Sequence, residues 1–382
     1  MAYYSVLRKI KDEKHQHHIA DRLLALRRAL REQVSENPKA GEFKIATWNL
    51  MHFGGAGSYC RTKESLMYIA EIIDHFDMVC VQEVKRDLRQ LKELIKYHLG
   101  DDWEYIVSDT TEGDKGNDER LAVLYRRGKV TFDRMVGEIV LPVDAAVSDA
   151  VEGGMEDEAQ QAHRQFARTP YYLNFRARWF KFKLCLVHIH YGAKGGMDKK
   201  LRAAEISRLA QFLTRRSDDE RAAEIQYATR KGWDTTPSAA NYILLGDFNI
   251  HKTRDDLSRK ALVNNGFEVP EDIDGLATNT GAREEAFDQI AFRLNDQRFS
   301  QGAGGVFDYR RLIYRPQDSY FYWQHVKIPK LLKKGEAHQG DPEAVKEYFA
   351  SYYRKHQISD HLLLWTSFNI DYADDYLTQY LK

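Results

Sequence analysis

Cysteine is scarce in this 382-residue chain: Cys60, Cys80 and Cys185 are all there is. An odd count without a spacing pattern excludes a disulfide-built scaffold. Cys80 and Cys185 lie inside apolar runs, where a thiol behaves as a small hydrophobe. No run of 18 apolar residues occurs, which excludes an ordinary membrane-spanning helix. No apolar leader-like stretch opens the sequence, and no Asn-x-Ser/Thr acceptor is present. A surplus of one charge is also missing: Lys+Arg and Asp+Glu number 57 each. That balance excludes a binder acting by bulk positive charge, yet it permits local positive potential around a groove. The absences together predict a soluble, cytoplasmic protein.

What is present is a sizeable apolar fraction, 43%, arranged in short runs between helical stretches. Residues 1–42 read as a charged helical extension, with Ile19, Leu23, Leu26 and Leu30 at helical spacing. Its plain reading is an amphipathic helix packed on the body; the sharper one is an arm for a partner, self-association or nucleic acid. Strands are predicted over Phe43–Leu50, Asp77–Val84, Tyr105–Ser108, Leu121–Tyr125, Tyr171–Ala177, Phe182–Tyr191, Tyr242–Gly246, Ala286–Phe292 and Leu362–Asn369. Helices are predicted over Glu64–Phe76, Asp87–Leu99 and Leu201–Leu213. Many strands with interspersed helices suggest two sheets packed face to face with helices outside. Three stretches break the texture and read as insertions: acidic 142–165, charged 215–240 and tyrosine-rich 293–358.

Polar residues collect at strand ends. Asn49 ends one apolar run and Glu83 another; His188 sits within LCLVHI; Asp247 and Asn249 sit in LLGDFN; Asp288 opens a strand, and Asp360 and His361 precede the last one. Taken singly, each has a structural explanation as a turn residue, cap or surface group. Placed together at the ends of buried strands, they must pair or hold a ligand, because burying them alone is costly. Carboxylates and amide oxygens suit hard divalent cations, Mg²⁺ first and Mn²⁺ or Ca²⁺ as alternatives. Histidines beside carboxylates supply proton donors and acceptors near neutral pH. The set describes metal-assisted phosphoryl chemistry.

The segments IATWNLMHFG (45–54), DMVCVQEVKRD (77–87), YIVS (105–108) with Glu119–Arg120, RTP (168–170), LVHIHYG (186–192), LLGDFN (244–249), FDQI (287–290) and SDH (359–361) run in an order that resembles the endonuclease/exonuclease/phosphatase superfamily. Its DNase I-like branch is the nearer likeness. The resemblance spans residues 43–372 and implies an α/β (α+β) four-layered αββα sandwich with the site at one edge of the two sheets. It implies Glu83 as principal metal ligand, with Asn49 and Asp360 in the same shell. Asp247 would orient or deprotonate the attacking water, and Asn249 would steady the phosphate. His188 and His361 would contact the scissile phosphate, leaning on Glu119 and Asp288 respectively. Arg168 and Lys85 would bind phosphate oxygens. His190 faces the same side of its strand as His188 and would line the same groove. The implied activity is a DNA endonuclease leaving 5′-phosphate and 3′-hydroxyl ends.

Two positions depart from the DNase pattern. Asn117 stands where that branch carries a sugar-stacking tyrosine. Lys85, followed by Arg86, stands for an arginine, and a lysine neutralises phosphate without gripping it bidentately. Two other readings therefore stay open: a phosphoesterase of the same superfamily acting on phospholipid or phosphoinositide headgroups, and an inactive binding or scaffold protein on the same fold. The cluster Arg310, Arg311 and Arg315 leans towards a polyanion.

Overall fold

The computed structural model describes residues 2–34, 41–111, 118–141, 166, 168–189, 196–233, 240–251, 257–326, 341–378 and 380–381. In strand β1 (Glu42–Phe53) successive side chains point to opposite faces. Phe43 and Ile45 enter one core, whereas Ala46, Trp48 and Leu50 enter another. A strand that is apolar on both faces belongs in a sheet covered on both sides. The strands β2 (Met78–Lys85), β3 (Trp103–Val107) and β4 (Glu119–Arg126) follow it in the first sheet; β5 (Thr131–Glu138), β6 (Tyr171–Ala177), β7 (Phe180–His188), β8 (Asn241–Asp247) and β9 (Asp288–Arg293) make the second. The chain then returns to the first sheet with β10 (Ser300–Phe307) and β11 (Leu363–Asn369), giving the order β10-β11-β1-β2-β4-β3 beside β5-β6-β7-β8-β9. Each sheet has one parallel pair, β1 with β2 and β7 with β8.

The inner faces meet in a core that includes Phe43, Ile45, Met78, Phe182, Leu184, Ile243, Leu245 and Phe368. Helices close the outer faces, so the chain is a four-layered αββα sandwich. Helix α1 (Glu13–Val34) buries Ile19, Leu23, Leu26, Leu30 and Val34. This stripe joins α2 (Lys63–Ile73) in the core outside the first sheet. Thr62 caps α2 by accepting the Ser65 N–H at 3.1 Å, as a helix N-terminus requires. The predicted helix 87–99 is α3 (Arg89–Glu93) running into a π-helical turn at Leu94–Leu99. Outside the second sheet, α4 (Gly196–Lys231) packs Ile206, Leu209, Ala210 and Leu213 beside Leu262 of α5 (Leu257–Val263).

The three expected insertions fare differently. Residues 142–165 lie outside the described residues. The charged stretch expected at 215–240 is, as far as Lys231, the continuation of α4; its polarity reflects an exposed helix rather than a loop. The stretch 293–358 contains β10, which pairs with β11, and it buries Tyr309, Tyr314 and Tyr322 in the core shared with α1 and α2. Two strands escaped the sequence reading. β5 is mostly exposed, with only Phe132 and Met135 half-buried, and β10, SQGAGGVF, is glycine-rich and lacks the β-formers that mark a strand. Among the described residues no helix is long and apolar enough to cross a membrane.

Two positions give direct tests. Gly246 adopts φ +142°, and a Cβ there would stand 2.0 Å from the Val187 carbonyl oxygen of the neighbouring strand. Gly246→Ala is expected to lower the unfolding free energy by about 2 kcal/mol or more in urea titrations. His98 is fully buried with neither ring nitrogen hydrogen-bonded, and that burial pulls its pKa down to about 4 from an ordinary 6.5. Between those values the unfolded chain takes up a proton that the folded chain refuses. Stability is therefore complete above pH 6.5 and falls towards pH 4, by up to about 3 kcal/mol from this one group. His98→Phe is expected to remove that part of the acid slope, read from urea midpoints at pH 7 and pH 5.

Candidate active site

The strand directions gather the polar residues at one edge. A parallel pair ends where an antiparallel neighbour begins, so carboxyl ends and amino ends of adjacent strands meet. His188 ends β7 opposite Asp247, which ends β8 opposite Asp288, the first residue of β9. In the other sheet Glu119 opens β4 opposite Lys85 at the end of β2. His361 lies just before β11, and Asn49 lies near the end of β1, in register with Gln82. Ligand sites sit at such carboxyl ends in layered α/β folds generally.

Both strand ends in the first sheet are irregular. The β1–β2 register shifts between Asn49 and Phe53, and the β2–β4 register shifts between Val81 and Val84. Met51, His52 and Glu83 adopt positive φ, as does Asn249 beyond β8. Such conformations cost energy in non-glycine residues and re-aim side chains out of the ladder. Local hydrogen bonds hold them. Asn49 Oδ1 accepts the Met51 N–H at 2.9 Å, and the His52 N–H donates to Glu83 Oε2 at 3.0 Å. The buried Arg61 donates to the carbonyls of Leu50, Met51 and Ile358. Ser359 Oγ donates to the Asn49 carbonyl and accepts the His361 N–H at 3.0 Å. The Tyr309 hydroxyl donates to the Ser359 carbonyl at 2.7 Å, and Trp48 Nε1 donates to the His361 carbonyl at 3.1 Å.

A side-chain amide bridges the two sheets at this edge. Asn49 Nδ2 donates to Glu83 at 2.9 Å and to Asp247 of the other sheet at 3.0 Å. His361 Nδ1 stands 2.8 Å from Asp288 Oδ2, and its Nε2 stands 3.9 Å from Asp247 Oδ2. Burial alone would depress the His361 pKa, but Asp288 and Asp247 carry it well above the usual value. Asp247 is pushed up to about 7 by burial, with Asp288 adding to the rise while His361, the Asn249 N–H and Asn49 oppose it. His188 Nε2 lies 3.4 Å from Asp247 and 4.0 Å from Glu83. Asn249 accounts for its own amide by donating to the Ile189 carbonyl at 2.5 Å.

Glu119 has His188 beside it, as the sequence suggests, but also three closer neighbours. Its distance to His188 Nδ1 is 3.7 Å, longer than a hydrogen bond. Lys85 and Arg168 stand at 3.1 Å and His52 at 3.2 Å. Burial would raise the Glu119 pKa, but His52, Arg168 and Lys85 outweigh it and lower the value. Arg168 is thus buried against Glu119 rather than presented to solvent, with its Nε and Nη1 unpartnered among the described residues. Asp360 pairs with Lys355 at 3.0 Å and stands outside both groups of close-set metal-ligating atoms. Those groups are His52 with Glu83 and Glu119, and Asp247 with Asp288 and His361, each within 4.8 Å. The donor chemistry of both fits a divalent cation. His190 and Asn117 lie outside the described residues. His52, Arg61 and Tyr309 went unread in the sequence. For His52 a signal existed, since it falls three residues after Asn49 in the same run; Arg61 and Tyr309 carry none.

Solved structures with similar overall architecture cover most of this chain at low identity. The human Nocturnin catalytic domain with bound sulfate anion is 13% identical, covering 88% of this chain and 96% of that one, with a TM-score of 0.48. TDP2 of D. rerio complexed with single strand DNA product is 12% identical, covering 86% and 99%, with a TM-score of 0.46. The mannosyl-6-phosphatase of Bacteroides thetaiotaomicron VPI-5482 is 17% identical, covering 85% and 99%, with a TM-score of 0.45. No curated protein matches this sequence. The family model described as "Endonuclease/Exonuclease/phosphatase family" matches residues 46–281, more than half the chain and most of the strands that carry the site. Members of that family are metal-dependent phosphoesterases, and this chain belongs to the endonuclease/exonuclease/phosphatase family.

Proposed function

We propose that this chain is a divalent-cation-dependent phosphodiesterase, and that its substrate is DNA. One observation carries the chemistry: the line Asp288–His361–Asp247 faces the group His52, Glu83 and Glu119, with Asn49 bonded to both sides. A cation bound among these residues supplies positive charge to the phosphoryl oxygens and the leaving oxygen. Glu83 and Asn49 would hold it, with Asp360 as a further oxygen donor. Asp247 accepts the proton of the attacking water, a task suited by a pKa raised to about 7. His361, kept protonated by Asp288 and Asp247, donates to the developing charge on the phosphate. His188, beside Asp247 and Glu83, contacts the same phosphate, and Asn249 steadies it. In-line attack would leave 5′-phosphate and 3′-hydroxyl ends.

The polyanion reading is favoured by the wall next to His52. An open pocket of about 940 Å³ there is lined by Tyr59, by Lys85, Arg86 and Arg89, by Asp87, Glu93 and Asp118, and by residues 54–57. Each of the three cations is paired with a carboxylate; a nucleotide strand that exchanged those partners for its phosphates would be positioned by them, with Tyr59 as a stacking ring. An apolar rim, which a lipid headgroup enzyme would need at the membrane, is not among those lining residues. The apolar stripe of helix α1 is already used within this chain.

The purified protein is expected to cut plasmid and single-stranded oligonucleotides with Mg²⁺ or Mn²⁺, and to lose that activity on chelation. Asp247→Ala and His361→Ala should each lower kcat on the order of a hundredfold or more. Faster release of headgroups from phosphoinositide vesicles than of nucleotides from DNA would refute the substrate. Equal rates for wild type and both variants would refute the mechanism. Glu83→Gln is expected to abolish Mg²⁺ binding in calorimetry while leaving the thermal midpoint within a few degrees of wild type.

A further inference from the structure

His52 has no part in the proton transfers just described, yet it is held with care. Its backbone sits at φ +51°, and its N–H is fixed on Glu83. Its ring meets Tyr59 edge to face at 4.7 Å. Nδ1 lies 3.2 Å from Glu119 Oε1 and 3.4 Å from Glu83 Oε2. Those separations are long for hydrogen bonds. They match adjacent donors around one small ion, which stand about 3.0–3.4 Å apart when each is about 2.1 Å from it.

We propose that His52 is a nitrogen ligand of the cation held by Glu83, and that it biases the centre towards Mn²⁺ and away from Ca²⁺. The assignment rests on the metal-centre reading above. Glu119 spends its charge on Lys85 and Arg168, so the ion meets few fully anionic oxygens. Ca²⁺ needs six to eight oxygen ligands, whereas imidazole nitrogen suits first-row transition ions. Ligation at Nδ1 places the ring proton on Nε2. His188 is the rival nitrogen, at 4.0 Å from Glu83, but it stands closer to Asp247 at 3.4 Å.

Mn²⁺ and Ca²⁺ are titrated by calorimetry into wild type, His52→Gln, His188→Gln and Glu83→Gln. Nitrogen hyperfine coupling to bound Mn²⁺ is read by pulsed electron paramagnetic resonance. His52→Gln is expected to weaken Mn²⁺ on the order of tenfold or more and to leave Ca²⁺ within about twofold, the change expected when only a nitrogen donor is lost. The nitrogen coupling should vanish in His52→Gln and persist in His188→Gln. Equal weakening of both ions, or coupling that survives His52→Gln, overturns the assignment while the metal centre stands. Wild type that binds Mn²⁺ with no nitrogen coupling overturns it without recourse to any variant. Wild type that binds no ion, or Glu83→Gln that binds as wild type does, overturns the metal-centre reading and this assignment with it.

Discussion

The Asn49 side-chain amide is the link on which the rest of the site depends. It donates one hydrogen to Glu83 in its own sheet and the other to Asp247 in the facing sheet. Two carboxylates brought close without such a donor would repel each other in a poorly solvated seam. A neutral amide satisfies both and adds no charge, so it leaves the site's attraction for a cation undiminished. The sandwich core brings the sheets together, and the amide sets how their charged edges meet.

Around that link the buried charges fall into two differently balanced groups. On the Glu119 side, Lys85 and Arg168 neutralise the carboxylate permanently. On the Asp247 side, balance comes from His361, a group that can release its proton, and the Asp247 pKa rises to about 7. One group is electrically fixed and the other is poised. That division suits a reaction in which an ion stays while protons move.

Much of this was legible in the sequence, and the reasons are physical. Strands covered on both faces must be nearly all apolar, so an Asn, Glu, His or Asp at the end of one stands out. Asn49, Glu83, His188, Asp247, Asp288 and His361 were found that way, and the structure brings them to one edge. The αββα layering followed from the same runs. What stayed hidden was whatever tertiary context alone determines. The exposed half of α4 is polar because water surrounds it, and so it read as a loop. The glycine-rich β10 is a strand because β11 offers it a ladder. His52 lies at the end of β1 in a left-handed conformation, off the period that exposed the others. Glu119 was assigned to His188, but three closer partners compete for it, and sequence order cannot rank distances.

Tyr309 and Arg61 tie the segment after β10 and the end of β1 to the backbone beneath Asn49 and His361. Both side chains are buried, and their bonds go to carbonyl oxygens rather than to other side chains. A mount of this kind constrains main chain, so the reactive groups above it are set before any substrate arrives. The chemistry then begins from an arrangement that needs little reorganisation, as preorganised sites do. Any adjustment to the size of a substrate is left to the glycine-rich segment 54–57 that lines the open pocket. In this architecture accuracy is built into the floor of the groove, and tolerance is left to its rim.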